Sequence, residues 1–507
     1  VTQSIMLLGA HMATDLAAAN KKGVVWGAIY DNWWQGGMRT TPQRHNIVAI
    51  LTEAASARSA SPVTVRPDQL RGHDRGLPEY EPRVNFPDPW PGGIWRMRDV
   101  AEYELIACKS VLRVGARYRD MFTRNQLAMA KKQIELGRTE APRAWIVPAD
   151  QSSKNGVNQL LRSLMLGGVE VHRAKSEFSV GELTFKRGDY VLKTDQPYRG
   201  HLKDLMEVQK YPDRRVYPGG PVDRPYDVAG WTAPLLLGVE SLQVGAEFKA
   251  DLELVANVPE ADKPNPLGNA KPRVGLYQPW TASMDEGWTR FVWEEHGVPY
   301  KTLHNAEIRS GGLRAAFDCI FIPGISASSA LNGVAASRTI SEYAGGIGSE
   351  GLENLKQFVN DGGTLVLMDE SSGLATNLGL PIRNAMEVVN RDSFFCPGSI
   401  LRTQVSVDHP LAQGMDSAGI AYFAGSRAFE VAQDSNVAVV ARYAPENVLL
   451  SGFLLGETHI AGKPCVVECP MGKGRVIAFA FPVQHRGQTM ATFGYMWNAM
   501  KRSVSGS

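Results

Sequence analysis

The stretch GTLVLMDE at residues 363–370 is a short apolar run that leaves a glycine turn and stops at two carboxylates, a pattern typical of a buried strand. Three similar runs precede it, and helical patterns lie between them. The predicted strands are RVGLYQPW (273–280), VPYKTL (298–303), DCIFIPG (318–324) and GTLVLMDE, and the helical patterns are DEGWTRFVWEEHG and SEGLENLKQFVNDGG. A last strand and helix are predicted in the tail, within 472–502. Strands that alternate with helices predict an α/β fold with a doubly wound parallel sheet.

Proline and glycine divide the rest of the chain. The Pro/Gly-rich stretch at 76–93 ends the first block, because prolines at that density continue neither a helix nor a central strand. A second boundary is the linker NVPEADKPNPLGNAKP at 257–272, which has four prolines. We therefore predict five segments: a first domain at 1–82, a helical connector at 83–140, a small α/β middle domain at 141–256, the linker at 257–272, and the doubly wound domain at 273–507.

The first and middle segments carry local patterns of their own. Residues 4–23 predict a helix with Ile5, Leu8, Met12 and Leu16 on roughly one face, ended by Gly23. The middle segment predicts a β-α-β unit over 142–174, a hairpin within 178–196 and a short amphipathic helix within 197–213.

Composition excludes several classes of function. The formal net charge is +2 over 507 residues, with no basic stripe, so a nucleic-acid partner is not expected. No run approaches the ~20 apolar residues that a membrane helix requires, so no membrane partner is expected either. The five cysteines are scattered and odd in number, which predicts neither a disulfide framework nor a zinc pair. The chain begins with Val1 and shows no signal-peptide pattern, from which we expect a fragment boundary.

One carboxylate stands out in the first segment. In NIVAILTEAAS (46–56), the apolar run 47–51 predicts a buried strand, and Glu53 follows directly after it. Burying an ionised carboxylate without a partner costs several kcal/mol, so Glu53 is expected to be neutral, paired, or exposed at the strand end facing a cleft. An ordinary solvated glutamate at a strand end remains the alternative.

The run AIYDNWWQGGMRTTPQRHNIVAILTEAASA at 28–57 resembles the C-terminal part of the catalytic domain of M14-family zinc carboxypeptidases, in the bacterial branch with long C-terminal extensions. The resemblance implies that Glu53 is the general base acting on a zinc-bound water, and that the substrate is a peptide or protein cleaved at its C-terminal bond. Arg39, Trp33 and Trp34 become candidate substrate-binding residues, with Arg39 as a possible carboxylate clamp. Export to the periplasm or outside the cell is also implied.

The zinc ligands that the family requires are not recognisable in this chain. The family uses an H-x-x-E pair and a later histidine, all upstream of the glutamate. Here only His11 and His45 precede Glu53, and neither is followed three residues later by glutamate. We therefore expect the fragment to bind no zinc and to be inactive alone. A second stretch, RPYDVAGWTAPLLLGVE (224–240), also resembles these extended enzymes, which makes Tyr226, Asp227 and Trp231 cleft candidates; a buried aromatic with a hydrogen-bonded tip is the alternative for Trp231.

The last segment resembles the class I glutamine amidotransferase-like domain, which is flavodoxin-like. Those enzymes place a nucleophilic cysteine on a tight turn after a strand, with a His/Glu pair downstream. At that turn this chain has LMDESSGLA, with Asp369, Glu370, Ser371 and Ser372 and no cysteine. A serine variant with Ser371 or Ser372 and His485 is a minor alternative, because no G-x-S-x-G elbow surrounds them.

Two short motifs are predicted to be coincidental. HNAE at 304–307 satisfies H-x-x-E but has no third ligand in its context, and GIGSEG at 346–351 satisfies G-x-G-x-x-G without a preceding strand. Two hypotheses follow. The chain is the C-terminal portion of a zinc metallocarboxypeptidase, or it is a non-catalytic module that binds sugar or peptide, or acts as a scaffold, through the amidotransferase-like domain.

Overall fold

The computed structural model describes residues 1–28, 31–59, 61–73, 75–258 and 265–505. Helices and strands are mixed throughout this range, so the expected α/β class is confirmed. No helix among these residues is long and apolar enough to cross a membrane.

The N-terminal region contains little regular structure after its first helix. Its elements are α1 (Thr2–Ala18), α2 (Thr41–Arg44), β1 (Val63–Val65) and β2 (Gly93–Trp95), and the two strands pair antiparallel. Leu8, Met12 and Leu16 lie four residues apart and are buried on one face of α1, as the sequence predicts. The helix ends at Ala18, five residues ahead of the predicted stop at Gly23.

The predicted strand at 47–51 is wrong. These residues have no regular secondary structure, and no described strand pairs with them. Instead Ile50 packs on α1 beside Gly9, and the Gln43 side-chain amide donates a hydrogen bond of 3.1 Å to the Ala49 carbonyl oxygen. A strand requires a neighbouring backbone to satisfy its polar groups, and the described residues provide none here.

The predicted helical connector is two helices, α3 (Met97–Arg117) and α4 (Arg119–Thr139). The helix α3 packs along α1, with Ala107, Ser110 and Val114 buried. Lys21 and Glu102 form an ion pair of 2.7 Å between the residues that follow α1 and the start of α3. The first segment is thus held to the connector by this helix pair and by the pairing of β1 with β2.

The middle region is a five-stranded sheet with helices beside it. Its elements are β3 (Ala144–Val147), α5 (Lys154–Leu166), β4 (His172–Ala174), β5 (Phe178–Val180), β6 (Leu183–Phe185), β7 (Tyr190–Lys193), α6 (Arg199–Met206), α7 (Ala233–Leu237), β8 (Leu242–Val244) and β9 (Leu252–Leu254). The order β8-β3-β7-β4-β9 has β7 inserted antiparallel between β3 and β4. The β-α-β unit is therefore present with its two strands apart, and β5 and β6 form the predicted hairpin.

The C-terminal region is built on one ten-stranded sheet. Its helices are α8 (Met284–Glu295), α9 (Asn305–Ser310), α10 (Leu313–Ala316), α11 (Ala327–Asn332), α12 (Gly348–Asn360), α13 (Leu374–Leu378) and α14 (Phe493–Arg502). Its strands are β10 (Val274–Tyr277), β11 (Lys301–Leu303), β12 (Cys319–Ile322), β13 (Thr364–Met368), β14 (Ile382–Asn384), β15 (Ser399–Val405), β16 (Ala418–Phe423), β17 (Phe429–Val431), β18 (Ala438–Tyr443), β19 (Leu449–Ser451), β20 (Pro464–Met471) and β21 (Gly474–Phe479).

The two halves of this sheet differ in direction. Strands β11, β10, β12, β13 and β21 lie side by side in that order and are all parallel, as the sequence predicts for this part. Beyond β21 the sheet continues antiparallel through β20, β18, β15 and β16, with β19 beside β15. This antiparallel half was not predicted from the sequence. Every residue of β10, β12 and β13 is buried, which requires a covering layer on both faces of the sheet.

The chain between α6 and α7 packs against the antiparallel half. The Ser451 hydroxyl accepts a hydrogen bond of 3.1 Å from the Gln209 backbone N–H and one of 2.9 Å from the Thr232 hydroxyl. Gly230 N–H donates to the Gly398 carbonyl oxygen at 2.9 Å. An apolar cluster closes this contact, formed by Val228, Trp231, Leu236, Ile400 and Tyr422. The middle and C-terminal regions therefore share a packed and hydrogen-bonded interface.

Candidate functional site

Glu53 lies in the irregular segment that follows residues 47–51, and its side chain is exposed. Two residues later, the Ala55 carbonyl oxygen accepts a hydrogen bond of 2.7 Å from the Trp95 indole N–H, which fixes this segment beside β2. Within the described ranges Glu53 forms no ion pair. The structure therefore has the predicted exposure of this carboxylate, whereas its predicted place at the end of a strand is wrong.

Arg39, the proposed carboxylate clamp, is bound to its own loop. Its guanidinium donates a hydrogen bond of 2.7 Å to the Asp31 carbonyl oxygen. The neighbouring Thr41 hydroxyl donates to the Gln35 carbonyl oxygen, so the turn before α2 is closed at both ends. This contact holds the guanidinium beside the loop that contains Trp33 and Trp34.

The two candidate tryptophans pack against one apolar cluster but differ in their other contacts. Trp33 donates its indole N–H to the Ala229 carbonyl oxygen at 2.9 Å and lies edge-on to Trp231, with ring centroids 6.0 Å apart. Trp34 lies under the Arg486 guanidinium, 5.2 Å from the ring centroid. The structure thus joins Trp33 to Trp231, and Trp33 and Trp34 both pack against the apolar cluster that contains Trp231. The alternative for Trp231 is confirmed too, since it is buried with its indole N–H donating to the Asp204 carbonyl oxygen at 2.8 Å.

Asp31 holds the loop before α2 in place, and it is not among the site residues predicted from the sequence. Its carboxylate lies 3.4 Å from the Arg75 guanidinium, and it accepts hydrogen bonds of 3.3 Å from the Tyr211 hydroxyl and 3.3 Å from the Tyr226 backbone N–H. One carboxylate therefore connects three distant parts of the chain. The only local signal for it is its place directly before the Asn-Trp-Trp sequence.

The turn after β13 has a strained backbone. Asp369 adopts a φ of +50°, which is unusual for a residue other than glycine and costs of order 1–3 kcal/mol. The two serines that follow are occupied: the Ser371 hydroxyl donates to the Ile322 carbonyl oxygen at 2.7 Å, and the Ser372 hydroxyl donates to the Asp369 carbonyl oxygen at 2.6 Å. His485 is stacked on Tyr422, with ring centroids 4.1 Å apart. No described hydrogen bond joins His485 to either serine, which argues against the serine alternative.

Buried acids surround this turn at the carboxyl end of the parallel strands. Burial raises the pKa of Asp369 to about 7, although Arg427, 3.8 Å away, acts in the opposite direction. Burial, with a contribution from the negative charge of Glu370, raises the pKa of Asp285 to about 6. Asp285 fits here because residue 324 is glycine, where a Cβ would lie 2.1 Å from its Oδ2. Burial lowers the pKa of His485 to about 3. The arrangement can hold protons near neutral pH, but it presents no activated thiol or hydroxyl.

The two short motifs have structural roles. The Glu307 carboxylate accepts a hydrogen bond of 3.1 Å from the His304 backbone N–H, and the His304 ring stacks on Trp280 at 4.0 Å. The GIGSEG motif contains the first residues of α12 and is not preceded by a strand. Among the described residues, no three His, Cys, Asp or Glu side chains converge on a point that could hold a metal ion.

No family model and no curated protein matches the chain. Among solved structures, it is similar to a cytoplasmic protein from Salmonella typhimurium, with 14% identity over 46% of this chain and 98% of that one and a TM-score of 0.31. A ThuA-like protein from Bacteroides uniformis has 10% identity over 47% of this chain and 93% of that one, with a TM-score of 0.27. A β-galactosidase from Bacillus circulans has 12% identity over 48% of this chain and 33% of that one, with a TM-score of 0.29.

Proposed function

We propose that this chain is the C-terminal portion of an M14-type zinc carboxypeptidase in which Glu53 is the general base. The proposal starts from the resemblance of residues 28–57 to that family. The observation that supports it is the state of the run 47–51, which has the composition of an inner strand, has no strand partner among the described residues, and leaves Ile47 45% exposed.

An unpaired apolar run is costly unless something covers it. Apolar surface costs about 25 cal/mol per Å² when it is left in water, and contiguous exposed patches mark contact surfaces. Other apolar side chains of the same region are exposed as well, namely Met6, Trp26, Met38 and Val84. In the proposal, the rest of a peptidase domain covers these apolar side chains, and Glu53 lies at the edge of its cleft.

The residues described do not fit the zinc that the family requires. No three ligands converge in the described part of the chain, so no step through the metal is derived from it, and we propose that the ligands lie elsewhere in the full protein. What this chain contributes is a carboxylate that accepts a proton from the attacking water. The proposed substrate is a peptide or protein, and the proposed location is periplasmic or secreted.

The experiment uses the full-length enzyme with its own upstream half. Glu53→Gln keeps the size of the side chain but accepts no proton, so kcat should fall by at least ~10²-fold while zinc content stays unchanged. Glu182→Gln is the matched control, because Glu182 is exposed in the β5–β6 turn, and it should leave kcat unchanged. Near-wild-type turnover of Glu53→Gln would assign the base elsewhere.

A second candidate is a non-catalytic module built on the flavodoxin-like, amidotransferase-like C-terminal domain. The observation that favours it is that Asp369 occupies the strained turn and that the hydroxyls of Ser371 and Ser372 are bound to backbone carbonyls. We expect this domain to release no ammonia from glutamine. Hydrolysis that disappears on Ser371→Ala or His485→Gln would contradict this second candidate.

A further inference from the structure

A cleft of about 470 Å³ lies between the N-terminal region and the middle region, within the size range of small-molecule sites. One wall is formed by the loop before α2 and by α2 itself. The other is formed by α6, by residues 207–210 and by Trp231. We call it the α2–α6 cleft and define it by Trp33, Arg44, Lys203, Asp204, Lys210 and Trp231. It contains neither Glu53 nor any residue of the turn after β13.

The frame of the α2–α6 cleft is held rigidly by one amide. The Gln209 side chain accepts a hydrogen bond of 2.8 Å from the Trp231 backbone N–H and donates bonds of 3.0 Å to the Asp204 carbonyl oxygen and 2.6 Å to the Glu207 carbonyl oxygen. The indole N–H groups of Trp33 and Trp231 are both satisfied by backbone carbonyl oxygens. The two rings are therefore fixed in place, and they present apolar surface to the cleft.

Asp204 places a largely buried carboxylate, whose charge is incompletely compensated, in the wall of the cleft. The residue is 9% exposed, and its Oδ1 lies 3.4 Å from the Arg44 guanidinium. Its Oδ2 is buried and has no hydrogen-bond partner among the described residues. Burial raises the pKa of this carboxyl to about 6, which indicates that Arg44 alone does not compensate the charge. A cationic ligand group placed in the cleft against this carboxylate would supply the missing compensation of its charge.

The positive groups of the cleft are distributed differently. Lys203 is paired with Glu207 at 3.5 Å, one turn along α6. Lys210 is exposed and forms no ion pair within the described part of the chain, so its ammonium is available to a ligand. Besides the Lys203–Glu207 pair, the cleft thus offers the Asp204 carboxylate beside Arg44, the Lys210 ammonium, unpaired among the described residues, and two indole rings. A ligand with only an anionic group would be repelled by the Asp204 carboxylate. A ligand with only a cationic group would leave the Lys210 ammonium without a partner.

We propose that the α2–α6 cleft binds a small zwitterion with a free ammonium and a free carboxylate, that is, an α-amino acid or a short peptide. The ligand ammonium lies against the Asp204 carboxylate, the ligand carboxylate accepts from Lys210, and an apolar side chain packs on Trp33 and Trp231. This site does not include Glu53, so the test of amino-acid binding does not depend on whether the peptidase proposal is correct.

Calorimetric titration of the chain with L-phenylalanine tests the proposal. L-Phenylalanine should bind with one-to-one stoichiometry. N-acetyl-L-phenylalanine lacks the ammonium and L-phenylalaninamide lacks the carboxylate, and each should bind at least about tenfold more weakly, since each loses one charged hydrogen bond. No binding of L-phenylalanine at millimolar concentration, or equal binding of either analogue, would overturn the proposal.

Two variants localise the binding. Asp204→Asn keeps the shape and removes the charge, and Lys210→Met removes an exposed ammonium whose loss should not disturb the fold. Each should weaken L-phenylalanine binding at least about tenfold, while Glu182→Gln should not change it. If Asp204→Asn fails to fold, Lys210→Met decides alone. Undiminished binding in Lys210→Met would show that the ligand is held elsewhere.

Discussion

Two five-residue runs of this chain, IVAIL at 47–51 and TLVLM at 364–368, are both largely apolar and yet differ in structure. The second is β13, paired in parallel with β12 on one side and β21 on the other, and all its residues are buried. The first has no regular structure and is only partly buried. Composition makes a run capable of forming a strand, but a neighbouring strand is needed to make it one.

The same difference extends to the regions around the two runs. The N-terminal region has one short two-stranded pairing before α3, whereas the C-terminal region has one continuous core. In the C-terminal region the backbone polar groups of the central strands are paired and out of water. In the N-terminal region, side chains form hydrogen bonds with the backbone, as the Gln43 amide does with the Ala49 carbonyl oxygen. Stability is therefore expected to be concentrated at one end of the chain.

Hydrogen exchange should show the largest contrast between the two runs. The amides of β13 can exchange only by extensive unfolding, whereas those of Val48, Ala49 and Ile50 need only a local opening. A global stability of at least about 5 kcal/mol implies a difference in exchange rate of about 10³-fold or more. The measurement is peptide-resolved exchange followed by mass spectrometry. Slow exchange at 48–50 would show that this run is paired in solution and break the comparison.

Truncation of one side chain in each run should give a smaller but clear contrast. Leu365 in β13 is fully buried, so Leu365→Ala should lower the free energy of unfolding by about 2–5 kcal/mol. Ile47 is 45% exposed, and Ile47→Ala should cost about 1 kcal/mol or less. Denaturant unfolding of both variants is the check. A loss of several kcal/mol in Ile47→Ala would mean that the run belongs to a packed core.

The parallel half of the large sheet could be predicted because its evidence is local. Each predicted strand there is an uninterrupted apolar run, and a helical pattern with its own period separates it from the next. Burial on both faces makes such runs easy to recognise, and the strands were placed within a few residues. The strand predicted at 47–51 failed because the same local evidence says nothing about whether a partner exists.

The antiparallel half and the contacts between regions depend on distant pairings. Strand β15 lies between β16 and both β18 and β19, and its pairing with β19 shifts register between Ile400 and Leu401, which no local pattern reveals. Asp31 and Tyr226 meet across 195 residues. The α2–α6 cleft likewise combines Arg44 with Asp204. The sequence indicated Trp33 and Trp231 separately, and only the fold places their rings together.

Stability should depend on pH through the buried acid at the turn after β13. The pKa of Asp369 is raised to about 7, so the folded state keeps a proton that the unfolded chain releases near pH 4. The free energy of unfolding should therefore fall as pH rises from about 4 to about 7, and Asp369→Asn should reduce this slope. Unfolding midpoints at several pH values measure it. The buried Asp285 contributes in the same direction, so the slope is reduced and not abolished.

Asp416→Asn is the matched control for this pH experiment, because Asp416 is exposed and the substitution is chemically identical. Its slope should equal that of the wild type. His485 contributes with the opposite sign over an overlapping pH range, because its lowered pKa means that stability is lost as pH falls below about 6.5. The contribution of Asp369 is therefore read as the difference in slope between the wild type and Asp369→Asn. An Asp369→Asn slope indistinguishable from wild type would mean that this carboxyl is ionised in the folded protein.

The smallest expected effect concerns the contact that joins the two regions directly. The Arg486 guanidinium lies over Trp34, so the N-terminal loop is attached to the edge of the large sheet by a cation–π contact. A double-mutant cycle with Trp34→Leu and Arg486→Met should give a coupling free energy of about 0.5–1 kcal/mol, since the contact is partly exposed. Each single variant also changes packing or backbone preference, because Arg486 has a φ of +48°, and only the cycle separates these effects from the contact. A coupling of zero would mean that this cation–π contact is absent in solution, and the attachment of the N-terminal loop to the sheet would then rest on the packing of Trp33 and Trp34 against the cluster that contains Ile400 and Tyr422.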